Sequence, residues 1–236
     1  MITLLVTPEE LTAAEVVVEG DAYRHLFRAR RAAAGERLRV VDGRGRARWG
    51  TVAAVDRSAG TIGLAEAAPT HEPDRRVHLL VAAPKKERAS WLVEKATELG
   101  VAAVRLIATE RTPREFGDGT LRRLERVAAA ALEQCHRSRL PELSGSHEWD
   151  EVPGLLAGIP AGRRWMLDTG EAAAGGEALR ACAGEAAALL VGPEGGWTDG
   201  ERQALAALGC EPVSLGPTVL RVETAALAGA ALLLAR

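Results

Sequence analysis

Two glycine–proline turns near the C-terminus constrain this chain more than any other feature. The first lies in Leu189-Leu190-Val191-Gly192-Pro193-Glu194-Gly195-Gly196-Trp197; the second lies in Leu215-Gly216-Pro217-Thr218-Val219-Leu220-Arg221-Val222-Glu223-Thr224-Ala225-Ala226. Each is entered by an apolar run that reads as a buried strand and left by a helical pattern. Glycine has no Cβ, so backbone amides and carbonyls in such turns can approach a ligand closely. Open α/β sheets bind ligands at paired strand-end loops of this kind. The first loop is a poor phosphate cradle, which wants free N–H groups and no nearby anion. Pro193 removes a donor, Glu194 adds a carboxylate, and neither Gly-Lys-Ser/Thr nor Gly-x-Gly-x-x-Gly spacing is present. The loop suits a neutral or cationic ligand, and S-adenosylmethionine, with its sulfonium charge, fits. An ordinary strand–turn–helix corner would carry the same residues.

The periodicity changes at about residue 73, which divides the chain into segments 1–72 and 73–236. Before the break, Ile2–Val6, Arg37–Val41, Ala47–Val55 and Thr61–Glu66 read as strands, with one helical segment over Asp21–Arg31. This predicts a small β-rich, barrel-like domain. The stretch Ala68-Pro69-Thr70-His71-Glu72-Pro73-Asp74 has linker chemistry. After it, strands are expected at Val77–Ala83, Val101–Thr109, Arg164–Asp168, Ala186–Gly192 and Glu211–Leu215. Helices are expected at Lys86–Leu99, Gly119–Arg137, Thr198–Leu208 and Val222–Ala235. Such alternation argues for an α/β fold, a parallel sheet covered by helices. In the first of these helices Trp91, Leu92, Ala96 and Leu99 recur at helical spacing, Gly100 supplies the stop, and Glu94 and Glu98 share a face. That pair reads as a salt-bridging surface or as a ligand-directed one.

With 236 residues, 47% of them hydrophobic, the chain can form one large or two small domains of a soluble globular protein. No basic segment followed by an apolar one opens it, so no secretory signal is expected. Its longest apolar run, Ala225 to Ala235, would span roughly 16 Å as a helix, well short of a bilayer. Cys135, Cys182 and Cys210 are scattered without metal-ligand spacing, the pattern of reduced thiols in a cytoplasmic protein, and no metal is expected. Net charge is −2, yet nine arginines fall between Asp21 and Arg48, and Arg122, Arg123, Arg126, Arg137 and Arg139 form a second group. Either cluster reads as a phosphate-binding face or as a solvated charged surface. The chain has no Asn and is rich in Arg, a bias of thermophiles and of GC-rich genomes.

Four motifs occur in an order that resembles one family. They are Lys85-Lys86 with Glu94-Lys95-Ala96-Thr97-Glu98-Leu99-Gly100-Val101, then Glu133-Gln134 with Arg137 and Pro141. Gly192-Pro193-Glu194-Gly195-Gly196 follows, then Leu215-Gly216 with Leu220-Arg221 and Glu223-Thr224-Ala225. Together they are similar to the small-subunit ribosomal RNA methyltransferase E (RsmE) family of the SPOUT superfamily, which methylates a uridine N3 in 16S ribosomal RNA. His25, Arg28, Arg31 and Asp42-Gly43-Arg44-Gly45 extend the resemblance into the small domain. Cys135-His136 and Val222 depart from the family's usual residues. The resemblance implies a trefoil-knotted parallel sheet at 73–236 and an RNA-binding PUA-like barrel at 1–72. It further implies S-adenosylmethionine as cofactor, a cytoplasmic homodimer, and 16S ribosomal RNA in the assembled small subunit as partner. The cofactor would be held by Leu167, Leu190, Val191, Gly192, Glu194, Gly195, Gly196, Leu215, Gly216, Val219, Leu220 and Thr224. RNA would be met by His25, Arg28, Arg31, Arg44, Lys86, Arg137 and Arg139. The Ala/Gly-rich last helix suits either a subunit interface or burial in the monomer core.

The reaction sets its own demands on these residues. Uridine N3 carries a proton and is a poor nucleophile until the proton leaves, so the site needs a base or a cation that stabilises the uridinate. Arg221 is the candidate cation; Glu194 or Glu223 is the candidate to take the proton or orient Arg221. Glu223 reads equally as a carboxylate favoured at a helix N-terminus. The ribose 2′-O-methylating branch of the superfamily relies on Asn, which this chain lacks. The other alternative is a non-catalytic RNA-binding ribosome-assembly factor that keeps only the fold; intact glycine loops with Arg221 and Glu223 argue for a working cofactor site, and the absence of heat with S-adenosylmethionine would mark the inert binder.

Overall fold

Val16 and Val18 turn inward from the segment Glu15–Glu19 while Val17 stays in solvent. This period-two pattern is that of a strand with one buried face, and it is a strand that the propensity reading leaves out. A computed structural model describes residues 1–112, 118–160, 162–170 and 173–235. They form two compact units, Met1–Glu72 with Ala129–Leu140, and Pro73–Ala128 with Pro141–Arg236.

The first unit holds β1 (Thr3–Leu5), β2 (Glu15–Glu19), β3 (Arg37–Val41), β4 (Ala47–Val55) and β5 (Ala59–Ala67). They form one sheet in the order β1-β3-β4-β5-β2, with β1 parallel to β3 and the other pairs antiparallel. The helix expected at Asp21–Arg31 is a single α-helical turn, α1 (Gly20–Tyr23), that widens into a π-helical stretch over Arg24–Ala29. The amide of Arg30 donates to His25 O at 3.0 Å, and Arg31 then takes a positive φ of 57°. This segment drives Tyr23, Leu26 and Phe27 into a core with Val16, Val18, Leu38, Val40, Val52 and Ile62. The chain returns to this unit with Ala129–Leu140, because Leu132 packs with Val41, Ala47 and Ala68.

The second unit holds β6 (Arg76–Ala82), β7 (Ala103–Ile107), β8 (Glu142–His147), β9 (Arg163–Leu167), β10 (Ala174–Gly175), β11 (Ala186–Val191) and β12 (Cys210–Ser214). All are parallel, in the order β10-β12-β9-β11-β6-β7-β8. Every residue of β11 is buried, as expected of a parallel strand covered on both faces. The helices are α2 (Lys86–Leu99), α3 (Asp118–Cys135), α4 (Val152–Ala157), α5 (Glu177–Arg180), α6 (Asp199–Ala207) and α7 (Val222–Leu234). The short elements β8, β10, α4 and α5 have no legible periodicity. Among the described residues no helix is long and apolar enough to cross a membrane.

Helix α2 keeps its expected bounds but not its expected face. Ala89, Leu92, Val93, Ala96 and Thr97 are buried, whereas Trp91 is 45% exposed and Leu99 37%. At 100° per residue Trp91 points away from the stripe that Leu92 and Val93 share with Ala96. Helix α7 packs on α2, β6 and β11. A Cβ on Gly229 would stand 2.5 Å from Leu189 Cδ2, so close approach to β11 within the monomer accounts for that small residue.

Candidate functional site

Leu167, Val191 and Ser214 end the three adjacent strands β9, β11 and β12, and the loops that follow converge on one cleft of about 270 Å³. In the first turn the Gly196 amide donates to Pro193 O at 2.8 Å, and Gly196 adopts φ +69°. The next residue, Trp197, is buried and its Nε1 donates to Leu167 O at 2.9 Å, tying this loop to the end of β9. Thr198 then starts α6 with a capping box, its hydroxyl accepting from the Glu201 amide while Glu201 accepts from the Thr198 amide. In the second loop Gly216 has φ +148° and donates its amide to Ser214 Oγ. A Cβ at Gly196 or Gly216 would meet nothing within 4 Å; backbone conformation, rather than crowding, calls for glycine there.

Ten of the expected cofactor residues line the cleft: Leu167, Val191, Gly192, Glu194, Gly195, Gly196, Leu215, Gly216, Val219 and Leu220. Val219 is 81% exposed. Leu190 and Thr224 do not line it: Leu190 is fully buried in a core cluster with Leu80, Ile107 and Met166, and Thr224 is exposed on the first turn of α7. Strand alternation turns Leu190 to the opposite side from its neighbour.

Asp168 and Arg202 line the cleft without having been expected there. Asp168 follows the last residue of a central strand, which was signal enough by the strand-end rule; Arg202 lies one turn into α6, where no sequence pattern marks it. Arg202 Nε donates to Asp168 Oδ2 at 2.7 Å and its Nη1 to Asp199 Oδ1 at 3.1 Å. Burial alone would raise the Asp168 carboxyl, but the Arg202 bond, the Thr169 amide and the Arg202 charge outweigh it and hold it below the usual carboxylate range. Among the described residues Asp168, Glu194 and Arg202 are the ionisable groups of the lining; Arg202 pairs with Asp168 and Arg88 pairs with Glu194, so each carboxylate has a cation beside it.

Of the candidate catalytic residues, Glu194 lines the cleft, whereas Arg221 and Glu223 flank the lining residue Val222. Arg221 is the exposed N-cap of α7 and forms no ion pair among the described residues. Glu223 is buried on the first turn. Arg88, from the first turn of α2, hydrogen-bonds Glu194 Oε1 and places its Nε 3.7 Å from Glu223 Oε1. Arg111 Nη1 donates to Gly195 O at 2.6 Å.

Residues 71–234 match the model of an RNA methyltransferase domain and residues 18–64 that of an RNA methyltransferase PUA domain. A ribosomal RNA small subunit methyltransferase E of Synechocystis sp. is 31% identical over 224 residues, 94% of this chain and 73% of that protein. The protein of the same name from Mycobacterium tuberculosis is 33% identical over 227 residues, 91% of this chain and 84% of its own. This chain belongs to that family. Its members are RNA methyltransferases, and so is this chain. The fold agrees with the crystal structure of the Neisseria gonorrhoeae member bound to S-adenosyl methionine, at a TM-score of 0.84 and 24% identity over 98% of this chain and 95% of that one.

In this methyltransferase the expected RNA-binding residues differ in availability. His25, Arg28, Arg31, Arg44, Lys86 and Arg139 are exposed. Arg137 is not: its side chain is 4% exposed and gives Nε and Nη2 to Glu72 Oε2 at 3.1 and 2.8 Å. Burial would raise the Glu72 carboxyl, but Arg137 and the amides of Ser138 and Arg139 hold it low. Arg137 is therefore part of the first unit's interior. Much of the arginine run is likewise structural. Arg39 is buried and donates to the carbonyls of His136 and Pro69; Arg24, Arg37 and Arg46 pair with Asp21, Glu66 and Asp42. Spacing counts charges but cannot tell which of them the fold uses.

Proposed function

We propose that this chain transfers a methyl group from S-adenosylmethionine to N3 of a uridine in 16S ribosomal RNA, acting in the cytoplasm on the assembled small subunit. The observation that carries the cofactor reading is the cleft beyond β9, β11 and β12, lined by the backbone of two glycine loops in which Gly196 and Gly216 take positive φ. Its exposed backbone groups suit a nucleoside held by amides and carbonyls. Glycine-loop residues Gly192–Gly196 and Leu215–Leu220 would hold the cofactor, with the second loop threaded as the trefoil knot of the superfamily. When bound, the cofactor supplies an electrophilic methyl on sulfur.

The protein's own part is alignment and charge. In-line displacement depends on holding the base at the right angle and distance. Arg221, exposed beside Leu220 and Val222, stabilises the uridinate that forms as N3 loses its proton. Glu194 and Glu223 are the candidates to take that proton or to orient Arg221. The base edge is hidden in a stack, so the uridine is read unpaired or extruded. Arg28, Arg31, Arg44 and Arg139, with His25 and Lys86, supply exposed polar contacts to folded RNA. A second copy of the chain would cover Trp91 and Leu99, the large apolar side chains that α2 leaves in solvent.

Mass spectrometry of 16S ribosomal RNA from a strain lacking the gene, with and without the gene restored, tests this reading. Loss and recovery of one N3-methyluridine is expected. A methyl lost from a ribose oxygen instead, or no change, would overturn it.

A further inference from the structure

Glu223 is a carboxylate on the first turn of α7, and it is buried. Its side chain is 7% exposed, and among the described residues its Oε2 is buried without a hydrogen-bond partner and Arg88 is the one cation within 4 Å of it. A buried carboxylate is costly unless a cation and hydrogen bonds compensate it. Arg88 supplies the cation, its Nε standing 3.7 Å from Glu223 Oε1, while its Nη1 hydrogen-bonds Glu194 on the other cleft-forming loop. The guanidinium is itself only 28% exposed, and its helix α2 packs directly on α7. Three segments distant in sequence are thus joined through one planar side chain.

We infer that Arg88 is a positioning residue for methyl transfer: it clasps Glu194 and Glu223, so the glycine loop after β11 and the start of α7 hold one fixed relation across the cleft. This rests on the cofactor reading above. Arg88 acts through the two carboxylates and touches neither cofactor nor base. The guanidinium bonds Glu194 through Nη1 and presents the charge of Nε to Glu223 at once, whereas a lysine has one point of charge to divide between them.

The test compares Arg88→Gln and Arg88→Lys with the wild type, and places Arg88→Gln also on Glu194→Gln and Glu223→Gln backgrounds. Amide exchange, S-adenosylmethionine titration, single-turnover rate and melting temperature are read on each. Arg88→Gln is expected to speed exchange in both residues 192–197 and 222–226. It is also expected to weaken cofactor affinity about tenfold and slow single turnover at saturating cofactor, with Arg88→Lys recovering part of each. The loss should shrink on either glutamine background, because the partner is already gone. Faster exchange confined to α2, additive losses, or a lowered melting temperature with wild-type affinity and rate would overturn the inference. Wild-type protein that gives no heat with S-adenosylmethionine would overturn the cofactor reading instead, while the exchange data still decide whether Arg88 joins the loops.

Discussion

Gly192 lies against the indole of Trp197 so closely that a Cβ on Gly192 would stand 2.9 Å from ring atom Cε2. The ring cannot retreat, because Trp197 is buried and its Nε1 is bonded to Leu167 O. Gly192→Ala is therefore expected to cost about 2 kcal/mol, as overpacked cores do, and to weaken cofactor binding by moving the loop. Trp197→Phe, which leaves the Leu167 carbonyl unpaired, should cost about 1 kcal/mol. Thermal denaturation and cofactor titration on both variants check this; a Gly192→Ala protein with wild-type stability would show that the loop gives way easily.

Arg221→Ala should slow single-turnover methylation by roughly 10²-fold, the effect of removing one preorganised donor to a developing anion. Affinities for cofactor and RNA should change far less, the signature of an interaction made in the transition state. Arg221→Lys should recover part of the rate, and raising the pH should partly rescue the Ala variant by supplying uridinate directly. Parallel loss of cofactor binding would instead make Arg221 a structural tie for its loop.

The arginines of the first unit should separate into two classes. Replacing Arg28, Arg31 and Arg44 together by Gln is expected to weaken RNA binding and to reduce the slope of log affinity against log salt by roughly 2, as three phosphate contacts would. Arg137→Ala should leave that slope alone and destabilise the protein by about 2 kcal/mol, since Glu72 loses its ion pair and keeps the amides of Ser138 and Arg139. Filter binding across a salt series, with urea denaturation of the same proteins, distinguishes the two.

His78 on β6 gives the second unit an acid-sensitive site. Burial, then the neighbouring charges of Arg105 and Arg76, lower its pKa to about 4, and among the described residues its Nε2 has no hydrogen-bond partner. An unfolded chain binds this proton near pH 6.5 while the folded protein resists it until about pH 4. Stability from neutral His78 is therefore present above pH 6.5 and declines as pH falls to 4, by on the order of 3 kcal/mol. His78→Leu should flatten this part of the melting-temperature profile; an unchanged profile would place the sensitivity elsewhere.

Local pattern by itself determined much of this protein. Strands β3 and β4 and helix α2 have the bounds that their residues predict, and the all-apolar β11 with its Gly-Pro exit marks where the first cleft-lining loop begins. These are short-range properties: periodicity, stop signals and the freedom of glycine act within a few residues. Tertiary structure decided what each side chain is used for. Val16 and Val18 become a strand because β5 pairs with them, and Trp91 is left in solvent because α7 packs on the other side of α2. Arg137 and Arg28 look alike in sequence, yet one is buried on Glu72 and the other is exposed. The Arg202–Asp168 pair and the contacts of Arg88 with Glu194 and Glu223 join residues far apart along the chain. Ion pairs and burial depend on distances in space, and those distances are set by the packing of whole elements rather than by spacing along any one of them.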